Sequence, residues 1–430
     1  MPSGIPSPKR AGFLPFLWHG FFLAFTMAMV EPNTVLPNYV ARLTDSPVAF
    51  GALYAILLGG PSVFNLLFSQ TLRRFQRRKP FLVGGILVRA VGFAGMAGVT
   101  LLLAGRAPSI ALWAFYGFVL LFSLSGGFAG IAYSDIVARV LPSDRRPAMI
   151  AARQVAGGVA ALGGGALVAR ILAPGTFAWP LDYALPMAIG AAGLAVAAAG
   201  FLPLREPKEA PPAADQDADA PPAGVPAAGA SKGLLRETFR VLRSDAAFRT
   251  FLIVENLSSF SLMVLPFYML YVTRTFPDAP ARLGTYVLAQ VAGSLASNVL
   301  WLFLSRRFGS VGVLRACIAA GAALPLVVLA LTPLGSAWYA LVFLLVGFVT
   351  SGRNIGFEPY LLDLAPGPDR TLYLGIRGSL NLLDVVLPLV GGLLVAALGF
   401  PPVFLGVSVF MLAALVLLRK ASCPVRPPSS

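Results

Sequence analysis

The stretch that decides the fold is Gly51–Phe75, GALYAILLGGPSVFNLLFSQTLRRF, because the chain contains it twice. Residues 284–308 read GTYVLAQVAGSLASNVLWLFLSRRF, 233 positions further on and without a gap. Gly51 falls on Gly284, Gly60 on Gly293, Asn65 on Asn298, Leu67 on Leu300, and Arg73-Arg74-Phe75 on Arg306-Arg307-Phe308. A second anchor, Val35-Leu36-Pro37-Asn38-Tyr39, recurs as Val264-Leu265-Pro266-Phe267-Tyr268. Each long copy is an apolar run of membrane-crossing length that ends in paired arginines. A repeat on this scale means a chain assembled from two like halves.

Working outward, twelve such runs follow one another between short polar loops: 13–41, 48–72, 80–104, 109–140, 146–173, 181–204, 246–274, 282–306, 311–332, 336–364, 370–399 and 401–419. Hydrophobic residues make up 57% of the 430, charged ones 12%, and mean hydropathy is +0.79. A soluble protein carries roughly twice that charged fraction. The first span is too long for a signal peptide and has no A-x-A-like cleavage site, so it reads as retained. The expectation is an all-α integral membrane protein of twelve transmembrane helices, in two parallel six-helix halves related by a pseudo-twofold axis.

The net charge of +15 would suggest nucleic acid in a soluble protein, but its distribution points elsewhere. Of the 33 Lys and Arg residues, 23 fall in the termini, the central linker and the loops leaving even-numbered spans, all on one side. Arg42, Arg106, Arg170, Arg274 and Arg282 lie on the other side. The positive-inside rule then places both termini in the cytoplasm, and the excess is a topology signal rather than a nucleic-acid footprint. Cys317 and Cys423 cannot meet, and a single His19 leaves no His-based metal site. No cofactor is expected.

Residues 205–245 separate the halves, giving expected domains at 1–204 and 246–430. Pro207–Pro226 is rich in Pro, Ala, Gly and Asp, which cannot bury enough apolar surface to order itself. After it, Leu235, Phe239 and Leu242 recur at helical spacing, with Arg236, Arg240 and Arg243 on another face. A short basic amphipathic helix on the inner leaflet has this pattern, as does a plain extension of the seventh span.

Twelve spans, two like halves, a central linker and basic loops after the second and eighth spans resemble the major facilitator superfamily, over nearly the whole chain. That family carries a pattern like G-x-x-x-D-R-x-G-R-[KR] after the second helix. The stretch here is Ser69-Gln70-Thr71-Leu72-Arg73-Arg74-Phe75-Gln76-Arg77-Arg78-Lys79. Its basic end matches, but Arg73 stands where the acid belongs, so an acidic partner must come from elsewhere or be absent. Tyr133-Ser134-Asp135 through Asp144-Arg145-Arg146, with the counterpart Leu361-Leu362-Asp363 through Asp369-Arg370, resembles the fourth-helix exit of a large bacterial group. The resemblance implies that spans one, four, seven and ten line a central cavity.

An ionised side chain in a membrane helix is costly unless paired or hydrated, so each is a functional candidate. Glu31 belongs to a stripe, Met27, Glu31, Thr34 and Asn38, that a continuous helix would place on one face. The seventh span offers Glu255 and Asn256 beside Ser258 and Ser259, and the eighth offers Gln290 within Tyr286, Gln290, Ser294, Ser297 and Trp301. The tenth carries Arg353, Asn354 and Glu358, and the eleventh Arg377, Asn381, Asp384, Pro388 and Gly391 at i, i+4, i+7, i+11 and i+14. Glu31, Asp384 and Glu255 are the proton-coupling candidates. The competing readings are hydration for Glu31, an interfacial place for Glu255, and structural pairing of Asp384 with Arg377 or Arg353. Thr34, Asn38, Asn256, Arg353, Asn354, Glu358, Asn381 and Gln290 are candidates to line the solute cavity.

At the cytoplasmic ends, Asp135 with Arg74, Arg77 and Arg153, and Asp363 with Arg307 and Arg377, could form breakable salt bridges that gate the inner side. Near-surface pairs contribute only about 0–1 kcal/mol each and exchange readily. Positive-inside decoration without partners is the competing reading. Arg89, in the third span, reads as structural.

The expected function is secondary active transport of a small organic solute across a bacterial inner membrane by alternating access. Proton coupling is expected, with efflux one allowed direction, and the chain is expected to act as a monomer. An uncoupled facilitator or uniporter, or a non-transporting receptor on the same fold, are the alternatives. A membrane-embedded transferase would need clustered carboxylates for a metal-bound diphosphate, and ATP-driven transport a P-loop. The sequence has neither. A lining with few polar groups favours an amphiphilic solute over a sugar.

Overall fold

The computed structural model describes residues 13–73, 77–141, 145–204, 206, 238, 240–364, 373, 376–377 and 383–420. Among them, regular structure is helical throughout. In chain order the helices are α1 Leu14–Met29, α2 Val35–Leu43, α3 Pro47–Arg73, α4 Lys79–Leu103, α5 Pro108–Val140 and α6 Arg146–Ile171. They continue as α7 Leu181–Ala199, α8 Ala246–Thr275, α9 Leu283–Ala330, α10 Tyr339–Leu364, α11 Leu383–Leu398 and α12 Phe400–Lys420. Eight helical stretches among the described residues are long and apolar enough to cross a membrane, and Leu14–Met29, Pro47–Gly60 and Asp384–Leu398 are shorter apolar helices. The twelve expected spans are therefore present, with two departures from one span per helix.

The first departure joins spans eight and nine as α9, whose 48 residues turn at Gly309. Gly309 has φ 67° and ψ −170°, a backbone conformation that a residue with a Cβ rarely adopts. The second departure breaks the first span. Val30 leaves helical geometry at the end of α1, and α2 begins only at Val35. Pro32 has no N–H to donate and biases Glu31 away from helical backbone. The Glu31 carboxylate also takes the Asn33 N–H at 2.6 Å, so it caps the break from within. The expected stripe Met27, Glu31, Thr34, Asn38 is thus not one continuous helical face. Local capping chemistry overrides the periodicity there.

By internal contacts the described residues group into two compact units. One comprises those of Met1–Ala218 and Pro266–Val291, the other those of Asp219–Leu265 and Ala292–Ser430. In the first, α1 packs on α6 and α7, and α4 on α5 and α7. Small residues let these backbones approach, as expected where lipid gives no hydrophobic drive for helix association. A Cβ on Gly193 would lie 2.5 Å from Thr26 Oγ1, and the Thr26 hydroxyl donates to the Gly190 carbonyl. In the second unit, Trp301, Val313 and Cys317 form a buried cluster with Phe348 packed against it, while Phe260 stacks on Phe410 at 4.3 Å.

The repeat is visible in packing as well as in letters. A Cβ on Gly60 would lie 2.4 Å from Ser123 Oγ of α5, and one on Gly293 would lie 2.1 Å from the Leu344 carbonyl oxygen of α10. Each copy spends the same glycine on a close helix crossing within its own unit. Tyr39 and Tyr268, which end the second anchor, are both buried. The expected linker at 205–245 and its amphipathic helix lie mostly outside the described residues, although 240–244 are helical. Asp245 then accepts the Phe248 N–H at 2.9 Å and so caps α8.

Candidate functional site

The break between α1 and α2 gathers a polar cluster around Glu31. Its Oε2 accepts from the Asn33 N–H and from the Thr34 hydroxyl at 3.1 Å. Its Oε1 accepts from Asn33 Nδ2 at 3.1 Å and from Gln290 Nε2 of α9, a residue of the same compact unit. Tyr54 of α3 closes the ring, donating to the Pro32 carbonyl at 2.8 Å and to Asn33 Oδ1. No Lys or Arg among the described residues pairs with this carboxylate. Gln290 is buried, and its Oε1 has no donor. Asn38, one turn into α2, donates instead to the Tyr183 hydroxyl. Glu31, Thr34 and Gln290 therefore come together, and Asn38 belongs to a neighbouring contact.

The second unit treats its acids differently. Glu255 of α8 is 3% exposed and grips Arg377 through both carboxylate oxygens, with Nε at 2.9 and 3.1 Å and a second guanidinium nitrogen at 2.7 Å. One turn along α8, Ser259 accepts from Arg353 Nη2 of α10 at 2.7 Å. The same Arg353 nitrogen reaches Asp384 of α11 at 3.5 Å, and its Cζ lies 5.1 Å from the centre of the Phe357 ring. Of the two arginines expected as partners of Asp384, Arg353 makes the contact, and Arg377 goes to Glu255 instead. Asn256 donates to the Leu252 carbonyl of its own helix and lines an apolar cavity of about 450 Å³ with Ile253, Phe260 and Leu387.

A third cluster ties the ends of α4 and α5. Asp135 Oδ2 accepts from Arg78 Nε at 2.8 Å and pairs with Arg139 at 3.1 Å. Glu206 accepts the main-chain N–H groups of Arg78 at 2.8 and 2.9 Å and of Lys79 at 3.1 Å, and stands 3.9 Å from Arg139. α4 has no acid in its own first turn, so a distant glutamate meets the positive end of its dipole. The acid missing from the second-span motif is thus replaced by two, Asp135 and Glu206. Arg77 is exposed beside Arg78, which makes the contact expected of Arg77.

The other expected residues are scattered. Arg153 lies over the Tyr133 ring at 4.8 Å, Arg307 over Phe308 at 5.4 Å, and Glu358 is exposed. Arg74 and Asn381 lie outside the described residues, as do the side chains of Asn354 and Asp363. The eleventh-span stripe is consequently seen only at Arg377, Asp384, Pro388 and Gly391. Asn33, Tyr54, Arg78, Arg139 and Glu206 carry site contacts that the sequence reading did not assign. For Arg139 a signal was present, since it stands four residues after Asp135 on one helix face.

The apolar helices carry carboxylates, amides and guanidinium groups along them, and the family match makes the chain a polytopic membrane transporter rather than an enzyme. The chain belongs to the Major Facilitator Superfamily, whose family model matches residues 17–357. Among solved structures it is similar to a point mutant of the nucleoside transporter NupG, at 14% identity over 96% of this chain and 100% of that one, with a TM-score of 0.71. A D-xylose-proton symporter matches at 16% identity over 97% of each chain, TM-score 0.65. The human organic anion transporter MFSD10 (TETRAN) matches at 15% identity over 96% of this chain and 100% of that one, TM-score 0.58. These likenesses show the fold. No curated protein matches the sequence.

Proposed function

We propose that this transporter moves a small organic solute by alternating access and couples that movement to protons through Glu31. The observation that carries the reading is a part-buried carboxylate whose partners are all neutral, its amides and hydroxyl being reversible in polarity. A carboxyl in a membrane helix must be compatible with a charged and a neutral state if it is to load and release a proton. The Thr34 hydroxyl can donate or accept, and an amide turned about its last bond offers oxygen instead of nitrogen. Gln290 Oε1, buried and without a donor, is the acceptor a protonated Glu31 would use after such a turn. Neither protonation state strands an opposite charge.

Glu255 and Asp384 face arginines, and protonating either would leave a guanidinium without its counter-ion. That arrangement favours holding helices together, or a gate that opens by exchanging partners. Asp384, on one contact of 3.5 Å, is the second proton candidate. The Asp135–Arg78–Arg139–Glu206 cluster is suited to an inner gate, because two acids and two arginines in one place can exchange partners without stranding a charge. The charge distribution supports cytoplasmic termini in a bacterial inner membrane, with the chain acting as a monomer. The neighbours named for nucleoside, D-xylose and organic anion transport agree with a small organic solute as cargo.

The test is accumulation against exchange in sealed proteoliposomes. Glu31→Gln should abolish solute accumulation driven by a pH gradient and retain exchange between solute pools. The amide copies the neutral carboxyl but cannot release a proton. Wild-type accumulation in the variant, with unchanged pH dependence, would leave the facilitator reading.

A further inference from the structure

We propose that His19, Arg89, Tyr133 and Arg153 form an anion site inside the first unit, which receives a carboxylate or phosphate group of the transported solute. This deepens the transport reading and rests on it for the word solute, though not for the site. Four helices contribute one side chain each: His19 from α1, Arg89 from α4, Tyr133 from α5 and Arg153 from α6. The His19 and Tyr133 rings lie 5.5 Å apart, and Arg153 Cζ sits 4.8 Å from the Tyr133 centroid. Arg89 Cζ lies 4.5 Å from the centre of the Phe122 ring. Phe122, Gly126 and Tyr133 recur at i, i+4 and i+11 of α5, so both arginines lie against one face of that helix.

A glycine makes room for Arg153, and another stands beside Arg89 at ordinary contact distance. A Cβ on Gly20 would lie 2.3 Å from Arg153 Cγ, and one on Gly126 would lie 3.6 Å from Arg89 Cζ. Arg153 therefore lies across α1 where a side chain would otherwise be.

What distinguishes the cluster is what it lacks. His19 is 5% exposed, and its Nδ1, Arg89 Nε, Tyr133 Oη and Arg153 Nε are all buried without a hydrogen-bond partner. No ion pair among the described residues joins Arg89 or Arg153 to an acid. Asp135, two residues from Tyr133, is taken by Arg78 and Arg139, Glu206 by the start of α4, and Glu31 by its own cluster. Ring faces compensate a guanidinium only in part. Two cations in a membrane helix bundle without a carboxylate are expensive unless an anion visits. Two guanidinium Nε–H groups and a phenol O–H supply donors, and His19 Nδ1 supplies another in the Nδ1–H tautomer. A planar carboxylate or a phosphate suits such a set.

The experiment uses the full-length protein purified in detergent, with inorganic phosphate, succinate and the uncharged succinamide as probes in thermal-shift and calorimetric titrations. Phosphate or succinate should raise the melting temperature and succinamide should not. Arg89→Gln and Arg153→Gln should each weaken anion binding at least tenfold, and Tyr133→Phe less, while Arg77→Gln leaves it unchanged. Without anion, removal of an unpaired buried cation should hold or raise the melting temperature. A merely structural arginine would lower it. If neither anion binds, or if Arg89→Gln and Arg153→Gln bind like the parent, the site is overturned. A parallel arm in nanodiscs separates the sources of the anion. Stabilisation by phosphatidylglycerol over phosphatidylcholine, lost in Arg153→Gln, with no response to soluble anions, would make this a lipid-headgroup site and overturn the solute assignment. Anion binding in a protein that accumulates no solute would keep the site and remove the transport reading instead.

Discussion

The first unit holds Glu31 among an amide, a hydroxyl and a main-chain N–H, and the second holds Glu255 in the fork of Arg377. Both acids lie in membrane spans, yet their partners set different limits. Neutral partners tolerate the gain or loss of a proton, because the amide and the hydroxyl can reverse their polarity and the main-chain N–H carries no charge to strand. A guanidinium cannot, so a carboxylate facing one is fixed in its charged form or the pair must separate as a whole. Under the proposed function that difference gives proton traffic to one unit and mechanical latching to the other. Asp384 stands between these cases, with an arginine partner held by a single long contact.

The largest expected effect is in the latch. Arg377→Gln or Glu255→Gln removes one member of a buried, doubly hydrogen-bonded pair and strands the other, at about 3–5 kcal/mol. Each single variant should show a large drop in melting temperature, and the double variant Glu255→Gln/Arg377→Gln should recover part of it. Additive losses in that cycle would mean that the two residues do not stabilise the protein as a pair, and the contrast with Glu31 would lose one side.

Much of the fold was legible because membrane spans and repeats are written in long stretches. Gly60 and Gly293 could be paired by letters alone, and both turn out to seat close helix crossings. The site was legible in part. Glu31 and Gln290 were marked as polar residues in apolar runs, but not as partners 259 positions apart. The break at Glu31-Pro32-Asn33 was hidden by a spacing that fits a helix equally well, and only the carboxylate's hold on the Asn33 N–H decides between them. Glu206 belonged by composition to the linker, and its role in capping α4 depends on a fold that brings it back to Arg78. Periodicity reports faces, and the pairing of acids with arginines is a tertiary matter.

A smaller effect tests whether the halves are equivalent in packing. Gly293→Leu drives a side chain into the Leu344 carbonyl and Gly60→Leu into the Ser123 side chain. Overpacking of this kind costs about 1–3 kcal/mol. The Gly293 variant should melt lower, because a backbone carbonyl yields less than a serine hydroxyl. Smaller again is Glu206→Gln, which weakens the charge at the start of α4 by about 0.3–1 kcal/mol and should be offset by high salt in the parent. A Glu206→Gln loss that salt does not diminish in the parent would point to packing rather than charge.

The smallest stability change is expected at Asp384, and there the comparison is most exposed. A single 3.5 Å contact at a part-buried site resembles a surface pair, of about 0–1 kcal/mol, more than the Glu255 fork. Asp384→Asn should therefore melt within a few degrees of the parent. Arg353 loses its counter-ion but keeps its hydrogen bond to Ser259 and its place over Phe357, which compensate its charge in part. In proteoliposomes the variant should still accumulate solute under a pH gradient, where Glu31→Gln does not, because the proton-carrying carboxyl is untouched. The reverse result, coupling lost in Asp384→Asn and kept in Glu31→Gln, would move proton traffic to the second unit. An arginine-facing acid would then be the carrier, and Arg353 would have to hand its charge to Ser259 and the Phe357 ring each time Asp384 is neutralised. Loss of coupling in both variants, with exchange intact, would mean that one proton visits two acids in turn, and the two units would share the task that the partners of Glu31 and Asp384 divide between them.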